Sequence, residues 1–123
     1  MNKQYRIKKS DEIEAVMKRG AKFSSKYFVI YKLENHETNH FRFATSVGKK
    51  IGNAVNRNLV KRRIRAAIDK FDLSLKEMDV FIVAKPNVND LTFDEYVKQI
   101  SYLLKKLHII DWGIKWKIQL KEI

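Results

Sequence analysis

Seven basic side chains and no carboxylate lie between positions 49 and 65 of this 123-residue sequence. They are Lys49, Lys50, Arg57, Lys61, Arg62, Arg63 and Arg65. Asn58, Lys61, Arg62 and Arg65 recur at i, i+3, i+4 and i+7, a spacing that places all four on one face of an α-helix. Because like charges on one helix face repel each other, the pattern predicts a polyanionic partner, and a nucleic-acid backbone is the best candidate.

The alternative is a solvated face that only aids solubility, but surfaces of that kind usually mix both signs of charge. From Thr38 through Ile68 there are eight Lys or Arg and no Asp or Glu. The whole chain has 26 Lys and Arg against 14 Asp and Glu, a formal net charge of +12. The local pattern and the overall charge together favour nucleic-acid binding.

Two glycines, Gly48 and Gly52, precede the predicted helix, and Asn53 is its candidate N-cap. A P-loop would need Lys and then Ser or Thr after the second glycine, so this stretch is not one. A glycine turn that leads into a helix N-terminus still presents free N–H groups to an anion. Lys49 and Lys50 oppose the helix dipole at this end, which favours a bound phosphate over a purely structural role.

Hydrolytic chemistry has weaker candidates. The segment from His36 to His40, HETNH, matches H-E-x-x-H, which holds zinc only when it lies on a helix. Here it falls between two strand patterns, which predicts a hairpin loop. The carboxylates occupy helix N-termini or surface positions, and none shares a segment with the basic face. We therefore predict no metal site and no catalytic residue in the protein.

Composition places the chain among small folded proteins. Hydrophobic residues make up 45%, so residues 1–123 are predicted to form a single domain. There is no cysteine, and no apolar run approaches the ~20 residues that span a bilayer. No apolar segment follows the basic N-terminus, as it would in a signal peptide. A cytoplasmic protein with no membrane partner is the expectation.

The hydrophobic pattern predicts an α+β fold, a sandwich with one central mixed sheet and helices packed on it. The predicted elements are a helix from the N-cap Ser10 to Gly20, strands at 27–33 and 40–47, the basic helix, a strand at 79–84, and a helix from the Thr92–Glu95 capping box to about position 108. The central strand–helix–strand order predicts a parallel pair joined by a crossover. In the tail, residues 111–123, alternation from Ile114 to Leu120 predicts a further strand.

Five aromatic residues lie on the first two predicted strands: Tyr27, Phe28, Tyr31, Phe41 and Phe43. One face of these strands must be core. Aromatic residues on the other face could stack unpaired bases, as in sheet-based single-strand binders. For any single residue the core and the stacking roles stay equally open.

An ordered signature runs through the basic stretch: Lys49-Lys50-Ile51-Gly52-Asn53-Ala54-Val55, then Arg57-Asn58, Lys61-Arg62 and Arg65. It closely resembles the signature of the bacterial ribonuclease P protein subunit. The resemblance extends over most of the chain, through Arg6–Lys9, the first helix ending at Gly20, Tyr27–Tyr31, Arg42–Val47 and Ala84-Lys85-Pro86.

The resemblance implies a small basic protein bound to a catalytic RNA. That ribonucleoprotein is an endoribonuclease, which removes the 5′ leader from precursor tRNA with Mg²⁺ held mainly by the RNA. The partners implied are the ribonuclease P RNA and precursor tRNA, with no obligate protein partner. The crossover around the basic helix is expected to be left-handed, an exception to the usual rule.

The resemblance also implies two sets of site residues. Contacts with the RNA subunit are expected from Lys49, Lys50, Gly52, Asn53, Arg57, Asn58, Lys61, Arg62 and Arg65. A cleft for the single-stranded leader is expected to be lined by Ile13, Met17, Tyr31 and Lys85. The chain departs from the family at Leu59, where a basic residue is usual, and at Ile13 and Met17, where aromatic residues are usual. We hypothesise that Arg63 partly replaces the basic residue missing at Leu59.

Two other functions compete with this interpretation. The first is a general RNA-binding or ribosomal-type protein without a catalytic partner, and the second is an autonomous nuclease. Only the ribonuclease P interpretation predicts one bound RNA that processes precursor tRNA.

Overall fold

The computed structural model describes residues 5–111. The elements are α1 (Ser10–Arg19), β1 (Ala21–Ser24), β2 (Phe28–Glu34), β3 (Arg42–Val47), α2 (Ala54–Ile68), β4 (Met78–Ala84) and α3 (Phe93–Lys106), with short 3-10 helices at Lys49–Ile51 and Pro86–Asp90. The four strands form one mixed sheet in the order β1-β2-β4-β3. The predicted α+β fold, a mixed sheet covered by helices, is confirmed.

The predicted crossover is present, because β3 and β4 are parallel neighbours joined through α2. The hairpin predicted between the second and third strands is wrong, since β4 lies between β2 and β3. β4 is nearly all apolar, and in its central position its backbone is hydrogen-bonded to β2 on one edge and to β3 on the other. The loop after β2 crosses the end of β4, where Asn35 N–H donates to Glu77 O and Phe41 N–H donates to Ser74 O.

Both edges of the sheet carry short segments that the hydrophobic pattern did not reveal. Strand β1 has only four residues and pairs antiparallel with β2. At the other edge, Arg6 forms a parallel bridge with Phe43, and Ile7 N–H donates to Phe43 O. Segments of this length have no alternation to detect, and they are extended because a neighbouring strand supplies their hydrogen bonds.

One face of the sheet is core. Phe28 and Ile30 of β2 and Val80 and Ile82 of β4 are fully buried there, under α2 and α3. Tyr31 of β2 and Phe81 of β4 point to the opposite face, which α1 covers only at one end. The sequence left the core and stacking roles open for the aromatics, and the strand register now separates them.

Two of the three predicted helix caps are confirmed. Asn53 Oδ1 accepts the N–H of Asn56 at the start of α2, and Thr92 and Glu95 form the reciprocal capping box of α3. The third is wrong, because Ser10 is already the first residue of α1 and Lys9 occupies the cap position without a side-chain hydrogen bond. Asp11 and Glu12 in the first turn still favour this helix end through the dipole.

Gly20 ends α1 where the helix meets the sheet. A Cβ at this position would lie less than 3.0 Å from the carbonyl oxygens of Lys32 and Val16, neither of which can move independently. We expect Gly20→Ala to lower the free energy of unfolding by about 1–3 kcal/mol, as other forced overpacking does. Urea unfolding measures this loss. Gly48→Ala is the matched control, because nothing lies within 4 Å of its Cβ position, and an equal loss in both variants would contradict the close approach.

The predicted strand from Ile114 to Leu120 lies outside the described residues. Within residues 5–111, none of the helices has the length and apolar character needed to cross a membrane.

Candidate nucleic-acid interface

The basic stripe predicted from spacing lies on one face of α2, here called the α2 basic face: Asn58, Lys61, Arg62 and Arg65. Asn58 and Arg62 are exposed, and Lys61 and Arg65 are half-buried. The opposite face, with Val60, Ile64, Ala67 and Ile68, is buried in the core. The helix is therefore held to the sheet by its apolar side and presents its cations outward.

The charges on this face are not neutralised by the protein. Burial lowers the pKa of Arg65, and the nearby positive charges of Arg6 and Arg62 lower it further. Throughout residues 5–111, no carboxylate lies within ion-pair distance of these arginines. A cluster of like charges without a counter-charge is a ready site for a polyanion.

Two basic residues of the same sequence region face elsewhere. The guanidinium of Arg63 lies over the ring of Tyr96 in α3, 5.7 Å from its centroid, so the hypothesis that Arg63 stands in for the missing basic residue at Leu59 does not fit. Burial raises the pKa of Tyr96, and the charge of Arg63 opposes this shift. Arg42 is bound to Asp79 and Glu12. Counting cations in the sequence therefore overstates the charge available to a partner.

Arg57 lies near the start of α2, next to the α2 basic face. Its side chain is half-buried, and its Nε is buried without a hydrogen-bond partner among the described residues. A buried donor of this kind normally has an acceptor, which a bound molecule could supply.

The segment 49–53 leads into α2 and is called the entrance. Lys49 and Lys50 are exposed on a short 3-10 helix, and Gly52 has φ 146°, a conformation that other residues rarely adopt. The Asn56 amide donates both to Ile51 O and to Asn89 Oδ1, and the Asn89 amide also donates to Ile51 O. These bonds fix the entrance to the segment after β4.

The open face of the sheet and α1 together form a cleft. Its floor contains Tyr31 and Phe81, whose rings lie 6.0 Å apart at 33°. Ile13 of α1 lines a cavity together with Ala44, the β3 residue in the same cross-strand row as Phe81. Met17 is 40% exposed on α1. Ile13 therefore lies on the side of the sheet to which Tyr31 points, and Met17 is accessible on the same helix.

Lys85, the fourth residue predicted for the cleft, has its ammonium group engaged. Its Nζ donates to Ser24 Oγ at 2.8 Å and to Ser25 O at 2.5 Å. Lys85 therefore ties the end of β4 to the turn between β1 and β2.

The cleft and the α2 basic face meet at a cavity of about 200 Å³. Ile13 and Ala44 line it from the cleft, and Arg65 lines it from α2. The rest of the wall consists of Arg6, Ile7, Phe43 and Thr45. The structure thereby brings together Ile13 of α1 and Arg65 of α2, which are about fifty positions apart in sequence.

Arg6 and Phe81 are not among the site residues predicted from the sequence. Arg6 was part of a basic N-terminal run, and only its pairing with β3 brings it beside Arg65. Phe81 lies in a continuous apolar strand whose two faces look alike in sequence. The register with Tyr31 is what identifies its side.

The H-E-x-x-H segment is a loop, as predicted, rather than a helix. His36 Nδ1 lies 3.2 Å from Glu77 Oε2, while His40 Nδ1 lies 2.9 Å from Phe41 O. The two imidazoles thus have separate partners. Over the described range 5–111, no group of histidines and carboxylates has the arrangement of a metal site.

Comparison with known proteins identifies the family. The family model for ribonuclease P matches residues 1–108. The ribonuclease P protein components of Streptococcus pyogenes serotype M5 and Streptococcus pneumoniae Hungary19A-6 are 39% and 41% identical to the chain. These alignments cover 94% and 92% of the chain, and 96% and 92% of the relatives.

Solved structures agree with this result. The RNase P protein from Staphylococcus aureus superposes with a TM-score of 0.77 at 33% identity, over 87% of this chain and 98% of that chain. The RNase P protein from Thermotoga maritima, at 21% identity and a TM-score of 0.70, shares the fold over 82% of this chain and 96% of that chain. On the match of its sequence to the family model and to these relatives, the chain belongs to the ribonuclease P protein component family.

Proposed function

We propose that this chain is the protein subunit of a ribonuclease P ribonucleoprotein, which binds the catalytic RNA and the 5′ leader of precursor tRNA and so assists endonucleolytic removal of the leader. The observation that carries the proposal is the cavity where Arg65, from the α2 basic face, meets Ile13 and Ala44, from the cleft. A folded RNA on one side and a single strand on the other need these two surfaces side by side.

The RNA subunit contacts would come from the α2 basic face, from Arg57, and from the entrance residues Lys49, Lys50, Gly52 and Asn53. The entrance adds the free N–H groups at the start of α2, a position that favours phosphate. The leader would lie in the cleft, on the ring of Tyr31 and against Ile13 and Met17, with Lys85 at its end.

The chemistry would belong to the RNA. Mg²⁺ takes oxygen ligands, and Asp79, the carboxylate buried on the open face, is already bound by Arg42 and Asn35. Because the described residues group no carboxylates as metal ligands, Mg²⁺ would be held mainly by the RNA. The protein would position the substrate and screen charge, as a cytoplasmic component without an obligate protein partner.

Reconstitution tests the proposal directly. The protein, a bacterial ribonuclease P RNA transcript, and the two together are each incubated with precursor tRNA at low Mg²⁺, and release of the leader is measured. We expect cleavage only with both components, and cleavage by the RNA alone only at higher Mg²⁺. If the protein does not lower the Mg²⁺ requirement, a general RNA-binding function is favoured. Cleavage by the protein alone would instead indicate an autonomous nuclease.

A further inference from the structure

A row of four residues crosses the open face of the sheet, one from each strand. Lys22 of β1 pairs with Tyr31, Tyr31 pairs with Phe81, and Phe81 pairs with Ala44. Paired residues point to the same face, so the row is continuous. Tyr31 and its next neighbours toward the β1–β2 turn, Val29 and Val83, are half-buried, whereas Phe81 is only 6% exposed. The accessible part of this mostly apolar floor therefore lies around Tyr31, Val29 and Val83.

The two ends of this floor are cationic. At the β3 end, Arg6 and Arg65 line the cavity that also contains Ala44. At the β1 end, Lys22 is exposed, and its Nζ lies 5.9 Å from the centroid of the Tyr31 ring. Three strand spacings separate Lys22 from Ala44, about 14 Å in all.

This arrangement suits one ligand chemistry. A planar base stacks on an aromatic ring, and the phosphate linked to it then needs a cation at the rim of that ring. Lys22 is in that position relative to Tyr31. Its ammonium rests on the ring when no nucleic acid is bound, and it can swing to a phosphate because the side chain is exposed and flexible.

Lys85, the lysine that the sequence associates with the leader, is less suited to this role. Its ammonium is held by Ser24 Oγ and Ser25 O, in the turn that follows β1. Releasing it would break two hydrogen bonds to a charged group, whereas the Lys22 ammonium has no hydrogen bond to the described residues. Lys85 thereby steadies the strand that carries Lys22.

We propose that Lys22 binds a backbone phosphate of the single-stranded leader whose base stacks on Tyr31, at the end of the cleft remote from Arg65. The proposal rests on the proposed function, because it names a residue that recognises the same substrate. It gives the leader a path across the strands, from the α2 basic face to β1.

The test uses the reconstituted ribonucleoprotein and two precursor tRNAs, one with a leader long enough to cross the sheet and one too short to reach β1. We expect Lys22→Ala to weaken binding of the long-leader substrate about fivefold, and to lower its salt slope by about 0.7, the value for one single-strand phosphate. Binding of the short-leader substrate should not change. Lys22→Arg should keep the wild-type affinity, since it retains the charge.

Lys98→Ala is the matched control, because Lys98 is an exposed lysine of α3, which packs on the other face of the sheet. It should leave both substrates unaffected. If Lys22→Ala weakens binding of both substrates equally, or weakens neither, the proposal is overturned. Cleavage by the wild-type complex would still support the proposed function in that case. Failure of the wild-type complex to cleave would count against both. Urea unfolding of each variant confirms that the exposed substitutions leave the fold intact.

Discussion

Asp79→Ala is expected to lower the free energy of unfolding by about 3–5 kcal/mol, the usual result of removing one partner from a buried ion pair. Asp79 is only 3% exposed on β4. Its carboxylate accepts hydrogen bonds from Arg42 Nε at 3.0 Å, from Arg42 Nη2 at 2.8 Å and from Asn35 Nδ2 at 3.0 Å. Without it, the guanidinium of Arg42, whose side chain is 13% exposed, would keep only Glu12 as a partner among the described residues.

The charge of Arg42 cannot escape this loss by deprotonation. The hydrogen bonds that Arg42 donates to Asp79 raise its pKa in the wild type. Without them the ordinary pKa of a guanidinium is still far above neutral, so Arg42 stays charged in the variant. The same bonds join β3 and β4 to α1 through Glu12. Loss of Asp79 should therefore also loosen the helix that forms one wall of the cleft.

Urea unfolding of the wild type and of two variants measures the effect. Glu14→Ala is the matched control, because it also removes one carboxylate from an ion pair, here the exposed Glu14–Lys18 pair on α1. That change should cost less than about 0.5 kcal/mol. The double variant Arg42→Met, Asp79→Leu should recover part of the loss, since it leaves fewer buried charges without partners. Similar losses for Asp79→Ala and Glu14→Ala would show that the buried network contributes little.

The sequence predicted the parts of the fold that local patterns determine. The spacing of Val60 and Ile64 against Lys61 and Arg65 defines both sides of α2, and a capping residue marks where α2 and α3 begin. In each case the residues that determine the structure lie within one or two helical turns of each other. Periodicity and capping are local properties, and they were sufficient here.

The parts that the sequence did not predict depend on contacts between distant residues. β4 lies between β2 and β3 in the sheet, although it follows both of them in the sequence. Because β2 and β3 are consecutive and joined by a short loop, the sequence favoured a hairpin between them. Arg63 looks like any other cation of the basic stretch until Tyr96 is packed beside it. Arg42 likewise has its carboxylate partners on α1 and β4. Tertiary partners, which no local pattern encodes, decide which cations remain available.

The double variant Arg62→Ala, Arg65→Ala is expected to weaken binding to the ribonuclease P RNA about 100-fold. Each lost charge-assisted contact is worth about 1.5 kcal/mol, and two such contacts amount to about two factors of ten. The plot of log affinity against log salt should lose about two units of slope, one for each phosphate contact. Filter binding or fluorescence anisotropy over a range of salt concentrations measures both quantities.

Two controls separate this effect from a general loss of charge. The double variant Lys76→Ala, Lys98→Ala also removes two positive charges, but from exposed positions outside α2, so it should change the salt slope little. Arg63→Ala changes the same helix but removes a cation that lies over Tyr96, so its main effect should be on stability. A salt slope that is unchanged in the Arg62, Arg65 variant would show that these residues do not contact the RNA.

Stability provides the decisive contrast, because Arg62 and Arg65 repel each other in the free protein. Burial lowers the pKa of Arg65, and the charges of Arg6 and Arg62 lower it further. Within residues 5–111, no carboxylate lies within ion-pair distance to offset this repulsion. Removing both charges should therefore leave the free energy of unfolding within about 0.5 kcal/mol of the wild type. Residues that stabilise the fold would show the opposite pattern, a loss of stability with RNA affinity maintained. If the α2 basic face binds a polyanion, the Arg62→Ala, Arg65→Ala variant should therefore bind RNA more weakly at unchanged stability.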